Sequence, residues 1–469
     1  MSLWIEWFRC IRELQPACIR LRTFMWMTLV LVGLSIRSDL GGVTSFVRAA
    51  GLLPRTYHRL LHLFHTKALV LEKLTERWAQ LVLKKFQPLC VGSRLVLVAD
   101  GLKVPKEGRK MPAVKKLHQE SQDNSKPEWI LGHSFQAVGI LVRGALGQVF
   151  SVPLASRIHE GLVFCNRDSR SLLDKMVVLF LSIVRVLDRP AILVADAYYA
   201  SRKVVLPLLE KGHHLVTRVR SNTVAFRKAP RPKKRAGPGR PKLYGRKVQL
   251  RDLWKNKKRF TAAPSPVYGE SGVTLRYYAI DLLWRPVGRL VRFVLVDHPT
   301  RGRLILMATD LSLSPLEVIA LYGYRFKIEV GFKQALHTLG AYAYHFWMRA
   351  MTPISRRSGN QYLHMKSERY RQLVRRKMDA YHRYVQLGCI AQGILQHLSL
   401  NFRVRVWKHF RSWMRTMKPS LAPSEAVVAQ ALRSSLPEYL LRSADDDKLK
   451  KFISDNADFS RCPELLLAS

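Results

Sequence analysis

Two short runs constrain this chain more than anything else in it: RLVLVAD at residues 94–100 and AILVAD at residues 191–196. Each is a continuous apolar run rich in β-branched residues, as expected of a strand buried on both faces. Strands of that kind need helices laid over them, so the pair predicts an α/β fold with a mixed sheet. Both runs end in aspartate, Asp100 and Asp196. A carboxylate at such a place loses solvation unless it binds a metal or a partner. The carboxyl ends of strands are also where open α/β sheets bind ligands.

The chain between and after these runs fits the same plan. A lysine-rich loop is expected to follow Asp100, then a hairpin with strands at 132–142 and 148–154 around the turn 143–147. Residues 169–187 have a helical period, 202–211 form a second helix, and 214–218 a strand ending in Arg218, a candidate phosphate contact. Asp297 and Asp310 also close apolar runs, and turn or capping roles explain many such residues. The order of elements separates them: Asp100 precedes the hairpin, Asp196 ends the strand after the first long helix, and Asp297 falls in a later β-rich stretch.

Residues 321–339, LYGYRFKIEVGFKQALHTL, read as one helix. At about 100° per residue, Tyr322, Arg325, Glu329 and Lys333 lie within roughly 40° of one line. One reading is a surface ladder of ion pairs. The other is a functional face whose carboxylate joins the two aspartates. Two-metal phosphodiester chemistry needs carboxylates from different elements that converge on ions about 3.5–4 Å apart. Magnesium suits such a site, because it takes oxygen ligands and few carboxylates. Asp100, Asp196 and Glu329 are the set that the order of elements offers.

Charge points to a polyanionic partner. Lysine and arginine outnumber acids 79 to 33, for a net charge of +46, and the basic residues run the whole length. Residues 227–259 hold fifteen Lys/Arg against one acid, Asp252. Proline and glycine in that run argue against regular structure. Gly239, Arg240 and Pro241, with Lys242 beside them, suit either an arm in an A·T minor groove or a solvated linker. Residues 1–92 read as helices; within them a turn at 51–54 introduces a helix expected to point Arg55, Thr56, His58 and Arg59 outward. This is a DNA-reading helix–turn–helix or a plain helical pair. The apolar run 24–36 is short of the roughly 20 residues that span a bilayer, and is expected to be a buried helix. Six scattered cysteines without a CxxC pair fit a reducing cytoplasm. No P-loop or HExxH occurs.

Taken together, RLVLVADG, ILGHSFQAVGILV, AILVADAYYASR, HLVTRVRSN and ATDLSLSPLEVIALYGYRFKIEVGFKQAL resemble a DDE-type insertion-sequence transposase with an RNase H-like catalytic core, over residues 40–345. It is most similar to the group whose last helix carries a spaced Tyr, Arg, Glu and Lys. Tyr322, Arg325 and Glu329 match that signature, whereas Leu336 stands in the place of its lysine and Lys333 lies one turn earlier. The resemblance implies Mg²⁺ (or Mn²⁺) held by Asp100, Asp196 and Glu329, with Tyr322 and Arg325 on phosphates near the cut. It implies DNA partners, namely terminal inverted repeats and a target, a homodimer on DNA, no membrane, and a cytoplasmic, nucleoid-associated location. The expected layout is a helical DNA-binding region at 1–92, the catalytic core at 93–222 and 312–350, a basic linker with a β-rich insertion at 223–311, and a helical basic region at 351–469. Two other readings stay open: a catalytically inactive DNA-binding derivative, and an RNase H-like nuclease without strand transfer.

Overall fold

The protein was analysed as a computed structural model, which describes residues 2–119, 127–230, 242–414, 417–442, 444, 447–458 and 460. Five helices open the chain: α1 (Leu3–Arg12), α2 (Leu21–Ile36), α3 (Val43–Ala49), α4 (Thr56–His65) and α5 (Leu71–Lys85). The core follows as β1 (Arg94–Pro105), β2 (Lys115–His118), β3 (Trp129–Arg143), β4 (Val149–Ile158), α6 (Leu172–Leu187), β5 (Ala191–Ala195), α7 (Arg202–Glu210) and β6 (His214–Val219). Next come β7 (Val224–Lys228), β8 (Tyr244–Gln249), β9 (Thr274–Trp284), β10 (Arg289–His298) and β11 (Gly302–Ala308). Helices α8 (Pro315–Gly323), α9 (Phe326–His337), α10 (Glu368–Asn401), α11 (Arg403–His409), α12 (Glu425–Arg442) and α13 (Lys448–Ser454) follow.

Strands β4, β3, β1, β5 and β6 lie side by side in that order, antiparallel on the hairpin side and parallel across β1, β5 and β6. This is the RNase H-like mixed sheet that the sequence predicts. The β-rich stretch extends it: β11 pairs antiparallel with β6, and β10, β9, β7 and β8 follow outward, in a sheet of 13 strands among the described residues. The two buried runs divide their side chains by parity, because successive residues of a strand face opposite ways. Leu95, Leu97 and Ala99 join the large core shared with α6, α7 and the helical body. Val96, Val98, Ile192 and Val194 join a second core capped by Val318, Ile319, Leu321 and Ile328 of α8 and α9. Helix cover on both faces explains why these strands show no polar side.

The outer edge of β4 is closed by side chains. Trp78 of α5 donates to the Pro153 carbonyl at 2.8 Å, and Gln386 of α10 donates to that of Leu154 at 2.9 Å. Satisfying an edge in this way removes a template for unwanted strand pairing. Helix α10 also packs on α2, α4 and α5, so the N- and C-terminal helices share one core rather than forming separate bodies. The apolar run 24–36 is buried in α2, as expected. No helix among the described residues is long and apolar enough to cross a membrane.

Several local expectations are corrected. Strand β1 does not stop at Asp100 but continues to Pro105, because the hairpin partner β3 pairs with it as far as Pro105–Gly132. Part of the expected lysine-rich loop is the edge strand β2, paired with β3. In the basic run, residues 244–249 form β8 against β7, accommodated by a bulge at Tyr244–Lys247. Thr56 is buried rather than outward, its hydroxyl donating to the Leu53 carbonyl at 2.7 Å, while Arg55, His58 and Arg59 are exposed. The single helix expected over residues 321–339 is two. The chain between α8 and α9 tightens to i→i+3 bonding, with the N–H groups of Arg325, Lys327 and Ile328 donating to Tyr322, Tyr324 and Arg325. The end of α8 packs closely on the inserted β stretch there: a Cβ on Gly323 would lie 3.2 Å from Val267.

Candidate active site

Parallel pairing places the two aspartates together. Leu95 to Val98 of β1 stand opposite Ala191 to Val194 of β5, a constant offset of 96 residues, which brings Asp100 alongside Asp196. Neighbouring strands are about 4.8 Å apart, and both residues share the parity of Val98 and Val194. They therefore project on the face covered by α8 and α9. In the same way, the pair Ala195–Thr217 brings Asp196 alongside Arg218 of β6, which is exposed. Three side chains on three parallel strands thus form a row: Asp100, Asp196, Arg218.

Each aspartate is oriented by local backbone. The Gly101 N–H donates to Asp100 Oδ1 at 2.8 Å, and the Tyr198 N–H donates to Asp196 Oδ1 at 3.0 Å, capping a short turn at Ala197–Tyr199. The Thr217 hydroxyl fixes the main chain at Asp196, donating to its carbonyl at 2.6 Å. Burial, and after it the charge of Asp196, push the Asp100 carboxyl up to about 6 against the opposing pull of Arg325. Asp310, one of the two further aspartates that close apolar runs, is elsewhere. It pairs with Arg94 at 3.3 Å, six residues before Asp100 on β1 and about 20 Å away along the strand.

Glu329 reaches this row through Arg325. The guanidinium donates from Nη1 to Asp100 Oδ2 at 3.2 Å and from Nη2 to Glu329 Oε1 at 2.6 Å. Burial disfavours the charge on Arg325, but Glu329, Tyr322 and Asp100 together hold its pKa above the usual arginine value. In the tightened turn, residues three apart eclipse one another, which sets Tyr322 over Arg325. Burial raises the Tyr322 phenol, which also senses Arg325, Arg218 and Asp196. Tyr322, Arg325, Glu329, Asp100, Asp196 and Arg218 therefore form one cluster. Lys333 is exposed one turn beyond Glu329, and Leu336 packs partly buried against the main core.

The remaining candidates are spread out. Arg55 and Arg59 lie on the helical body, where Arg59 covers the Trp26 ring at 5.5 Å. Their turn is strapped by the C-terminal segment, Leu53 N–H donating to Asn456 at 2.8 Å and Asp458 N–H to Gly51 at 2.6 Å. Lys242 is exposed just before β8, and Arg240 lies outside the described residues. Tyr199 is an addition that periodicity did not single out. It is buried, and its phenol is raised well above normal first by burial and then by Asp100 and Asp196. Its only sequence signal is its place three residues after Asp196.

The family of DDE superfamily endonucleases matches residues 17–267, more than half of the 469-residue chain. The chain belongs to that family. The matched span contains Asp100 and Asp196 and ends before α8, so the placement of Glu329 rests on the geometry above. No curated protein matches the chain. The family implies DNA as substrate, and its endonucleases typically use divalent metals. The donor set of this endonuclease suits such an ion at the aspartate pair: two hard carboxylates side by side, one of them with a raised pKa that a cation would lower. Among the described residues no three His, Cys, Asp or Glu side chains already stand in ligating array, because Glu329 is turned to Arg325.

Proposed function

We propose that the protein is a DNA transposase that cuts the ends of an insertion sequence and joins the freed 3′-hydroxyl to target DNA. The observation that carries this reading is the in-register pair Asp100–Asp196, with Glu329 tied to Asp100 through one guanidinium. Asp100, Asp196 and Glu329 would hold Mg²⁺, with Mn²⁺ an alternative; the bound ions supply charge neutralisation at the attacking and leaving oxygens. Arg325 and Arg218 flank the aspartates from opposite sides, as donors for the non-bridging oxygens of a phosphodiester. Tyr322 stands beside this row on the α8/α9 side, and Tyr199, packed in the main core, senses both aspartates. When Arg325 turns to a phosphate, Glu329 is released toward the aspartates.

The core at 93–222 and 312–350, the inserted stretch at 223–311 and the helical regions at 1–92 and 351–469 supply the scaffold. Arg55, Arg59, Lys333, Arg240 and Lys242 are proposed DNA contacts outside the carboxylate row. A homodimer bridging two ends, in a nucleoid-associated setting, completes the reading. Asp100→Asn or Asp196→Asn should abolish Mg²⁺-dependent nicking of DNA carrying the element's ends while leaving binding in EDTA nearly intact. Unchanged nicking removes the assignment. A joined-product assay separates transposition from a nuclease without strand transfer, and DNA binding without cutting in Mg²⁺ or Mn²⁺ marks the catalytically inactive derivative that Leu336, standing where the related signature has lysine, favours.

A further inference from the structure

A groove of about 1230 Å³ opens between α1, α2, α11, α12 and α13, and shares no residue with the carboxylate row. Its lining holds seven Lys/Arg against two acids. Both acids are engaged: Glu438 takes Arg442 at 2.9 Å, and Asp447 accepts the Tyr439 hydroxyl at 2.8 Å. Among the described residues, no carboxylate comes within ion-pair distance of Arg12, Arg405, Lys408 or Arg411. Arg12 and Arg405 are steadied by aromatic rings, Phe8 at 5.9 Å and Phe402 at 5.5 Å. Arg405 Nη1 is buried and has no hydrogen-bond partner among the described residues.

Like charges gathered from separate elements repel one another, and the fold supplies too few anions to offset them. A polyanion does so and releases its counterions on binding. Stacked arginines are already ordered, which lowers the entropy lost on contact. The groove lies at the C-terminal end of α10, the helix that meets α9 beside the carboxylates. Gln392 of α10 donates to Gly331 of α9 at 2.9 Å, and α10 ends nine residues later at Asn401, about 14 Å further along its axis. Helix α11, a wall of the groove, starts there.

We propose that this groove is a second DNA-binding surface, taking the sugar–phosphate backbone of duplex DNA at a distance from the cut. The proposal rests on DNA being the substrate, but not on which carboxylates are catalytic. Arg12, Lys408 and Arg411 are exposed, so the triple variant Arg12→Ala/Lys408→Ala/Arg411→Ala removes charge without disturbing the core. A matched control, Arg185→Ala/Arg202→Ala/Lys211→Ala, removes three exposed cations from α6 and the α7 region.

Binding of a 30-base-pair DNA duplex is followed by fluorescence anisotropy in EDTA over a salt series. The groove variant should lose about tenfold or more in affinity, with a slope of log K against log salt shallower by about 3, while the control loses far less. Equal losses in the two variants overturn the proposal. So does loss of binding to an RNA duplex of the same length with DNA binding intact. Wild-type protein that fails to bind DNA at all refutes the DNA reading itself, a result distinct from either.

Discussion

Arg325 Nη1 stands 3.2 Å from Asp100 Oδ2, and the same guanidinium holds Glu329 at 2.6 Å. One side chain, at the junction of two helices, thus links a carboxylate on the sheet to a carboxylate on α9. Both Arg325 and Asp100 are mostly buried, at 21% and 19% exposure, so screening by water is limited. Arg325→Ala should cost about 1–3 kcal/mol of stability in EDTA and reduce nicking by more than tenfold. Arg325→Lys keeps charge but not the two-pronged geometry, and should restore stability better than activity. Urea unfolding and a nicking assay measure the two effects, and an unaltered unfolding midpoint for Arg325→Ala would show the bridge to be energetically idle.

The raised pKa of Asp100 makes stability depend on pH. Its carboxyl titrates near 3.8 when unfolded and at about 6 when folded. The folded state therefore binds more protons between these values, and the stability contributed by this site is present below pH 4 and lost as pH rises through 6. Asp100→Asn removes that loss. The variant should be more stable than wild type at pH 8, by an amount on the order of 2–3 kcal/mol, and lose that advantage near pH 4. Denaturation in EDTA across this range tests it; a pH-independent difference would contradict it.

Arg37 anchors the far end of α9. It is buried, donates from Nε to the Leu339 carbonyl at 2.8 Å and from Nη2 to that of Gly340 at 2.7 Å, and meets the Ser45 hydroxyl at 2.9 Å. Arg37→Ala leaves buried carbonyls unpaired beside a cavity, and should cost about 2–4 kcal/mol. Thermal melting reads the loss, and a variant with wild-type melting would show that the clamp is dispensable.

Leu336→Lys restores the residue type of the related signature, but at a position whose side chain packs against the main core. Desolvating an ammonium there should cost about 1–2 kcal/mol. No gain in nicking or in a hairpin product is expected from it. A stable variant that forms a hairpin product would show that this position faces DNA.

The two apolar runs were legible because a strand covered on both faces must be apolar throughout, whatever else surrounds it. They also located Asp100 and Asp196, since the charge is the first residue that such a strand cannot bury. The sequence by itself thus determined the α/β sheet, its order of elements and the pair of aspartates. It could not determine that β1 runs on past Asp100, because pairing with β3 supplies the hydrogen bonds that extend it. Nor could it show the break between α8 and α9: the periodicity of residues 321–339 is helical throughout, and the break lies beside Gly323, where the chain packs on Val267 of a distant turn. Helical spacing put Tyr322, Arg325 and Glu329 on one stripe, but only the tertiary structure decided what that stripe faces. Register is the physical reason. An offset of 96 residues between β1 and β5 is a property of two strands in contact, and no local pattern in either strand encodes it.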